Sequence, residues 1–125
     1  MKTSSAKAKG KRCAQEVKEL LVSGAPVLDG DDIVVTPSGV PGVDLHLSPA
    51  AKTFYPFAIE CKCQESIAIW QALKQAESHP FGDEIPILFF KRNRSKLYVC
   101  LEAEQFIKLI RQEKTAPPEM KDQNC

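Results

Sequence analysis

The chain has no apolar run long enough to cross a bilayer and no charged-then-apolar leader. Neither a membrane partner nor secretion is indicated, and a cytoplasmic protein is expected. No internal repeat is found, and 125 residues suffice to bury one core but not two, so a single domain over 1–125 is expected. Regular cysteine spacing is also missing. Cys13, Cys61, Cys63, Cys100 and Cys125 are odd in number and do not form a disulfide framework. Cys61-x-Cys63, with His46 or Cys100, could suggest zinc, but structural zinc sites bring their sulfurs in pairs on loops. Here they alternate with Glu60 and Lys62 along one strand, so buried free cysteines are expected.

Net charge is nearly absent too, at +1, which by itself argues against a nucleic-acid partner. The distribution argues otherwise. Residues 1–12 carry Lys2, Lys7, Lys9, Lys11 and Arg12 with no acid, and Lys91-Arg92-Asn93-Arg94-Ser95-Lys96 packs its cations into one short stretch. Local clusters set the field that a phosphate backbone feels. Each cluster also has a plain alternative, a solubilising tail for the first and a polar hairpin turn for the second.

Residues 1–11 read as a basic flexible segment. A helix follows over 13–22, with Cys13, Val17, Leu20 and Leu21 on one face, and Ser23-Gly24 with Pro26 ends it. A turn at Asp29-Gly30-Asp31-Asp32 leads to a short strand at Ile33-Val34-Val35, and Thr36-Pro37-Ser38-Gly39-Val40-Pro41-Gly42 is a loop that delivers the chain to Asp44. Residues 43–47 and 54–63 are expected to pair as a hairpin across 48–52. Ser66 is the expected cap of a helix over 67–79, with Ile69, Trp70, Leu73 and Ala76 as its apolar stripe and Gln71 and Gln75 sharing another face. Strands at 85–90 and 97–101 flank the second basic cluster, a helix over 102–112 turns Phe106, Ile107, Leu109 and Ile110 inward, and 113–125 is a polar tail expected to fray. The expected fold is α/β, with a central mixed sheet flanked by helices in the order αβββαββα.

Within this pattern Phe57-Ala58-Ile59-Glu60-Cys61-Lys62-Cys63 stands out. A strand alternates its side chains, so Glu60 and Lys62 point one way and Ile59, Cys61 and Cys63 the other. Two ionised groups on an apolar strand are expensive to desolvate. One explanation is a solvated edge strand with a weak Glu-Lys contact. The other is a divalent ion held by Asp44 and Glu60, with Lys62 beside the water it activates.

Taken together, Thr36-Pro37-Ser38-Gly39-Val40-Pro41-Gly42-Val43-Asp44, Phe57-Ala58-Ile59-Glu60-Cys61-Lys62, Ile69-Trp70-Gln71-Ala72-Leu73-Lys74-Gln75-Ala76-Glu77 and Pro86-Ile87-Leu88-Phe89-Phe90-Lys91-Arg92-Asn93-Arg94 resemble the PD-(D/E)xK nuclease superfamily. Within it the chain is most similar to the small phage and archaeal endonucleases related to Holliday-junction resolvases, over residues 9–110. The resemblance implies a restriction-endonuclease-like core and a phage-encoded protein acting in a bacterial host. It makes Asp44 and Glu60 ligands of Mg²⁺ or Mn²⁺, with the backbone carbonyl of Cys61 as a further contact. Lys62 becomes the residue that serves the attacking water and the phosphate, and Gln75 a residue lining the active site. It further implies an acid or amide from the first helix, with Gln15 the first candidate, then Glu16 and Glu19. The sequence departs from the pattern in placing Gly42-Val43 rather than a proline directly before Asp44.

The expected activity is metal-dependent hydrolysis of DNA phosphodiesters, selective for branched shapes. Lys9, Lys11, Arg12, Ser38, Lys91, Arg92, Arg94 and Lys96 would contact DNA on either side of the carboxylates. A resolvase cuts two strands symmetrically and is expected to be a homodimer. The alternatives are a monomeric nicking, flap or nonspecific nuclease, or a DNA-binding module that keeps the fold without cutting.

Overall fold

The computed structural model describes residues 4–37, 39–80 and 82–114. Ser38, one of the expected DNA contacts, lies outside them, as do Lys2, Cys125 and the tail from 115 onward.

The first helix, α1, spans Ser4–Ser23, so most of the segment expected to be flexible is helical. Ala6, Lys7, Ala8, Lys9 and Lys11 are strong helix formers and extend the helix backward from its packed half. Cys13, Ala14, Val17 and Leu21 form its buried stripe, while Leu20, expected inward, is exposed. Beyond it, Asp29 accepts the Asp31 N–H through its side chain at 2.9 Å, and the Asp29 N–H at 2.9 Å, then the Ser48 hydroxyl at 2.7 Å, donate to Asp32 and hold its carboxyl below the ordinary range.

Strands β1 (Ile33–Val35) and β2 (Leu45–Leu47) pair antiparallel, with Ile33 opposite Leu47. The connection after them is a short helix, α2, Pro49–Phe54. Ser48 caps it by accepting the Ala51 N–H at 3.1 Å, and Pro49 occupies a first-turn position where no N–H is needed. This helix replaces the hairpin expected between 43–47 and 54–63. The strand β3 (Phe57–Cys63) instead runs parallel to β4 (Ile85–Lys91) through the crossover helix α3 (Ile69–Glu77), and β5 (Tyr98–Cys100) adds antiparallel to β4. The last helix is α4, Ala103–Lys114. The order is therefore αββαβαββα, with a two-stranded antiparallel sheet and a three-stranded mixed sheet where one central sheet was expected; the α/β class holds.

Two helices sit differently from their apolar patterns. α3 starts at Ile69 after Ala68, which makes no side-chain cap, so Ser66 does not serve as one. It lays its small residues Ala72 and Ala76 against the sheet and leaves Trp70 81% exposed. On α4, Phe106, Ile107 and Ile110 are exposed rather than buried.

The core fills the space between α1 and one face of the sheets, with Val17, Leu21, Ile33, Leu45, Ile59, Ile87 and Phe89 at its centre. Alternation along β3 aims Ile59, Cys61 and Cys63 at α1, and Cys13 on the buried stripe of α1 meets Cys63 in a disulfide. Free cysteines were expected at both positions; among the described residues only Cys61 and Cys100 are free. Stable disulfides belong mainly to oxidising compartments, so this bridge weighs against the cytoplasmic placement. A second tie is the Tyr55 hydroxyl, which donates to the Leu21 carbonyl at 2.7 Å. Gly24 makes room for it, since a Cβ there would lie 2.9 Å from the Tyr55 oxygen. Among the described residues no helix is long and apolar enough to cross a membrane.

The bridge closes a loop of 50 residues in sequence, for which chain entropy gives a stabilisation of about 4 kcal/mol. A non-reducing peptide map should recover Cys13 linked to Cys63. Cys13→Ser should lower the guanidinium midpoint, with further loss on adding reductant absent.

Candidate active site

Asp44 follows a loop that turns at Gly42, whose φ of 110° lies in the left-handed region that side chains resist. Thr36 fixes the loop's exit. Its hydroxyl donates to the Val43 carbonyl at 2.7 Å and its N–H to the Asp44 carbonyl at 2.9 Å. Asp44 then docks on β3. Its N–H donates to the Ile59 carbonyl at 3.0 Å, and its carboxylate oxygen Oδ2 accepts the Cys61 N–H at 2.7 Å. The N–H of Ile85 reaches Pro56 and that of Gln64 reaches Lys91, so the even-numbered positions of β3 bond to β4. Ile59 and Cys61 accordingly offer their polar groups to the other edge, where Asp44 takes them. The Cys61 carbonyl belongs to that same edge.

Glu60 points to the opposite face of β3 from the α1 core. It is 3% exposed and is the single buried charged residue among those described. Burial, then the Asp44 charge beside it, raises its carboxyl from 4.5 to about 7; the protonated form donates to Asp44, and Lys62 acts in the opposite direction. Lys62 follows on the same face, roughly 7 Å along the strand, and is half-buried. Burial pushes the Cys61 thiol well above its ordinary range, with Asp44 and Glu60 adding to the effect, so it is an inert neutral group.

His79, which no motif in the sequence marks, also reaches the site. Its Nδ1 lies 3.3 Å from Glu60 Oε1. It belongs to the sheet-facing series Ala72, Ala76 and His79, at steps of four and three, just past the end of α3. That spacing, in front of the Pro80 break, was the available signal. Gln75, expected to line the site, is exposed, and its carbonyl accepts from the Ser78 hydroxyl at 2.6 Å.

The first helix does not supply the expected partner. Gln15 donates to Glu19 at 3.3 Å, and Glu16 pairs with Lys91 at 3.1 Å. The physical reason is that α1 packs on the odd-numbered face of β3, away from Glu60.

The two basic clusters meet each other rather than flanking the carboxylates. Lys9 and Arg12 of α1, with Lys91, Arg92 and Arg94, line one hollow of about 160 Å³ beside the disulfide at the end of β3. Glu60 lies three residues, roughly 10 Å, back along the strand. Lys11 and Lys96 are exposed outside this hollow. The turn carrying Arg94 holds it at a φ of 64°. Ser95 donates its N–H to the Arg92 carbonyl at 3.1 Å and accepts the Arg92 N–H through its hydroxyl, and Glu65 accepts the Asn93 N–H at 2.5 Å. A larger hollow of about 380 Å³ runs along α4 and touches none of these residues.

Among the described residues no three His, Cys, Asp or Glu side chains are grouped to hold a metal. The donor set is two carboxylates and a strand-edge carbonyl. It suits Mg²⁺, which keeps several waters and is commonly held by one or two carboxylates together with substrate phosphate.

Comparison with family models, curated proteins and solved structures found no match.

The pH dependence of stability follows from Glu60. Its folded value of about 7 exceeds the ordinary 4.5, so the folded state binds more protons between these limits. The stability this carries is fully present below about pH 4.5 and lost as pH rises through 7. Its full span is about 3 kcal/mol. In metal-free buffer the thermal midpoint should fall between pH 5 and 8 beyond the baseline trend, and Glu60→Gln should remove that fall and raise stability at the alkaline end.

Proposed function

We propose that the chain is a metal-dependent endodeoxyribonuclease of the PD-(D/E)xK type. The observation that carries this reading is the docking of the Asp44 carboxylate on the Cys61 N–H, beside buried Glu60 and on the strand that also presents Lys62. A structural strand has no need to desolvate an acid next to another acid, and such a pair is the expected form of a site that binds a divalent cation.

Asp44 and Glu60, with the Cys61 carbonyl, would hold Mg²⁺ or Mn²⁺. When bound, the ion would lower the pKa of a coordinated water and offset charge on the phosphate oxygens. Asp44 is oriented by the β3 edge, so its second carboxylate oxygen is the one left for a cation. His79, within 3.3 Å of Glu60, fixes the direction of that carboxylate. Lys62 supplies a positive charge for the transition state, in which negative charge grows on the non-bridging and leaving oxygens as water attacks phosphorus and the bridging bond breaks. The leaving oxygen takes up a proton.

The cations gathered around Arg12, Arg92 and Arg94 would bind phosphates away from the scissile bond. Such contacts carry position rather than sequence, which favours recognition of DNA shape; branched DNA cut by a homodimer is the form proposed.

Purified protein with Mg²⁺ should cleave a labelled junction faster than linear duplex, with a flap substrate run alongside. Glu60→Ala and Asp44→Asn should abolish cutting, and Lys62→Ala should slow it by about 10²- to 10³-fold. Absence of cleavage by the wild type on every substrate would leave a DNA-binding module and overturn the enzyme. Undiminished cleavage by Glu60→Ala would overturn the site.

A further inference from the structure

Lys62, Phe90 and Tyr98 form one row across the sheet. Lys62 stands opposite Phe90, and Phe90 opposite Tyr98, on the face that carries Glu60. The two rings are 6.1 Å apart between centroids and tilted by 33°. They open into a hollow of about 340 Å³ whose walls also include Ile67, Ile69, Gln64 and Glu65. Tyr98 is 55% exposed, so this aromatic surface is left open by the described residues. A cavity of this size, walled by Ile67, Ile69, Phe90 and Tyr98 on one part and by polar and charged side chains on the rest, is within the range of small-ligand sites.

Its surroundings identify the ligand class. The aromatic hollow shares Lys91 and Arg92 with the basic hollow on the other side of the β4 end. A flat aromatic wall and a cationic wall joined through the same two residues match a molecule that carries a planar ring and an anion a few bonds apart. A nucleotide within a DNA strand is such a molecule. Its base can reach a sheet-face cavity only when it is unpaired, because a paired base hides both faces in the stack.

We infer that this cavity receives one unpaired nucleobase, stacked on Tyr98 and Phe90, while its neighbouring phosphates lie on Arg92 and the cations of the adjoining hollow. Glu65, also in the cavity wall, is engaged by the Asn93 N–H and sets the position of the basic turn. The role of the pocket in cleavage rests on the nuclease reading, since the row places the base one strand away from Lys62. The recognition itself does not. It would make single-stranded segments at branch points the preferred feature of the substrate.

The test is binding in chelated, metal-free buffer, read by fluorescence anisotropy with a labelled oligothymidylate and a labelled blunt duplex of equal length. Tyr98→Ala should weaken oligothymidylate binding by about tenfold and duplex binding by less than about twofold, with Tyr98→Phe close to wild type. Arg94→Ala should weaken both ligands in the same proportion. Equal loss for both ligands in Tyr98→Ala, or no loss for either, would overturn the pocket. Cleavage is scored separately: selective loss in Tyr98→Ala with a non-cutting wild type would retain the pocket and reject the nuclease, and a cutting wild type without selective loss would do the reverse.

Discussion

The site depends on one hydrogen-bonded contact, that of Asp44 with the unpaired edge of β3. A strand edge exposes N–H and C=O groups that must find partners. Here Asp44 supplies both, its N–H to Ile59 and its carboxylate to Cys61. A hydrogen bond to a charged acceptor contributes roughly 1.5–3 kcal/mol, so the loop 36–44 is held to the sheet by the same group that is proposed to bind the cation. This couples folding to chemistry. The acid cannot swing away without leaving the Cys61 N–H unpaired.

The two faces of β3 divide the remaining work. The odd-numbered face joins α1 through Ile59, Cys61 and the Cys63 bridge to Cys13, and it holds the strand rigid. The even-numbered face carries Glu60 and Lys62 toward α3, where small Ala72 and Ala76 let the helix come close enough for His79 to reach Glu60. A carboxyl buried this deeply is unfavourable when ionised, and protonation is its response in the absence of a cation. The strain is thus local and reversible, borne by a strand that is anchored on its other side.

The end of the parallel pair β3–β4 gathers the cations. α1 continues back to Ser4 and so carries Lys9 and Arg12 to the turn after β4. The disulfide fixes that approach. Lys91 pairs with Glu16, and Arg94 is held in a left-handed conformation that a non-glycine residue adopts only under constraint from its neighbours. A basic surface therefore lies next to an aromatic one, with the carboxylates a short distance down the strand.

Several features were legible in the sequence alone. The period of two along 57–63 assigned Glu60 and Lys62 to one face, because alternation is local to a strand. The turn residues before Asp44 marked its loop, and the breaks at Gly24 and Pro80 bounded two helices. Only the tertiary structure decided the rest. The hairpin expected to bring Asp44 to Glu60 is absent, and the meeting is made by a side chain on a strand edge, which no periodicity encodes. Apolar stripes assigned Trp70, Leu20 and Phe106 to the interior, yet all three are exposed; on α3 the small Ala72 and Ala76 pack against the sheet and Trp70 remains outside. Cysteine spacing could not pair Cys13 with Cys63, and charge runs could not place Lys9 beside Arg92, because both are contacts between segments distant in sequence. Local rules fix which way a side chain points from its own element; what it meets there depends on how the elements are assembled.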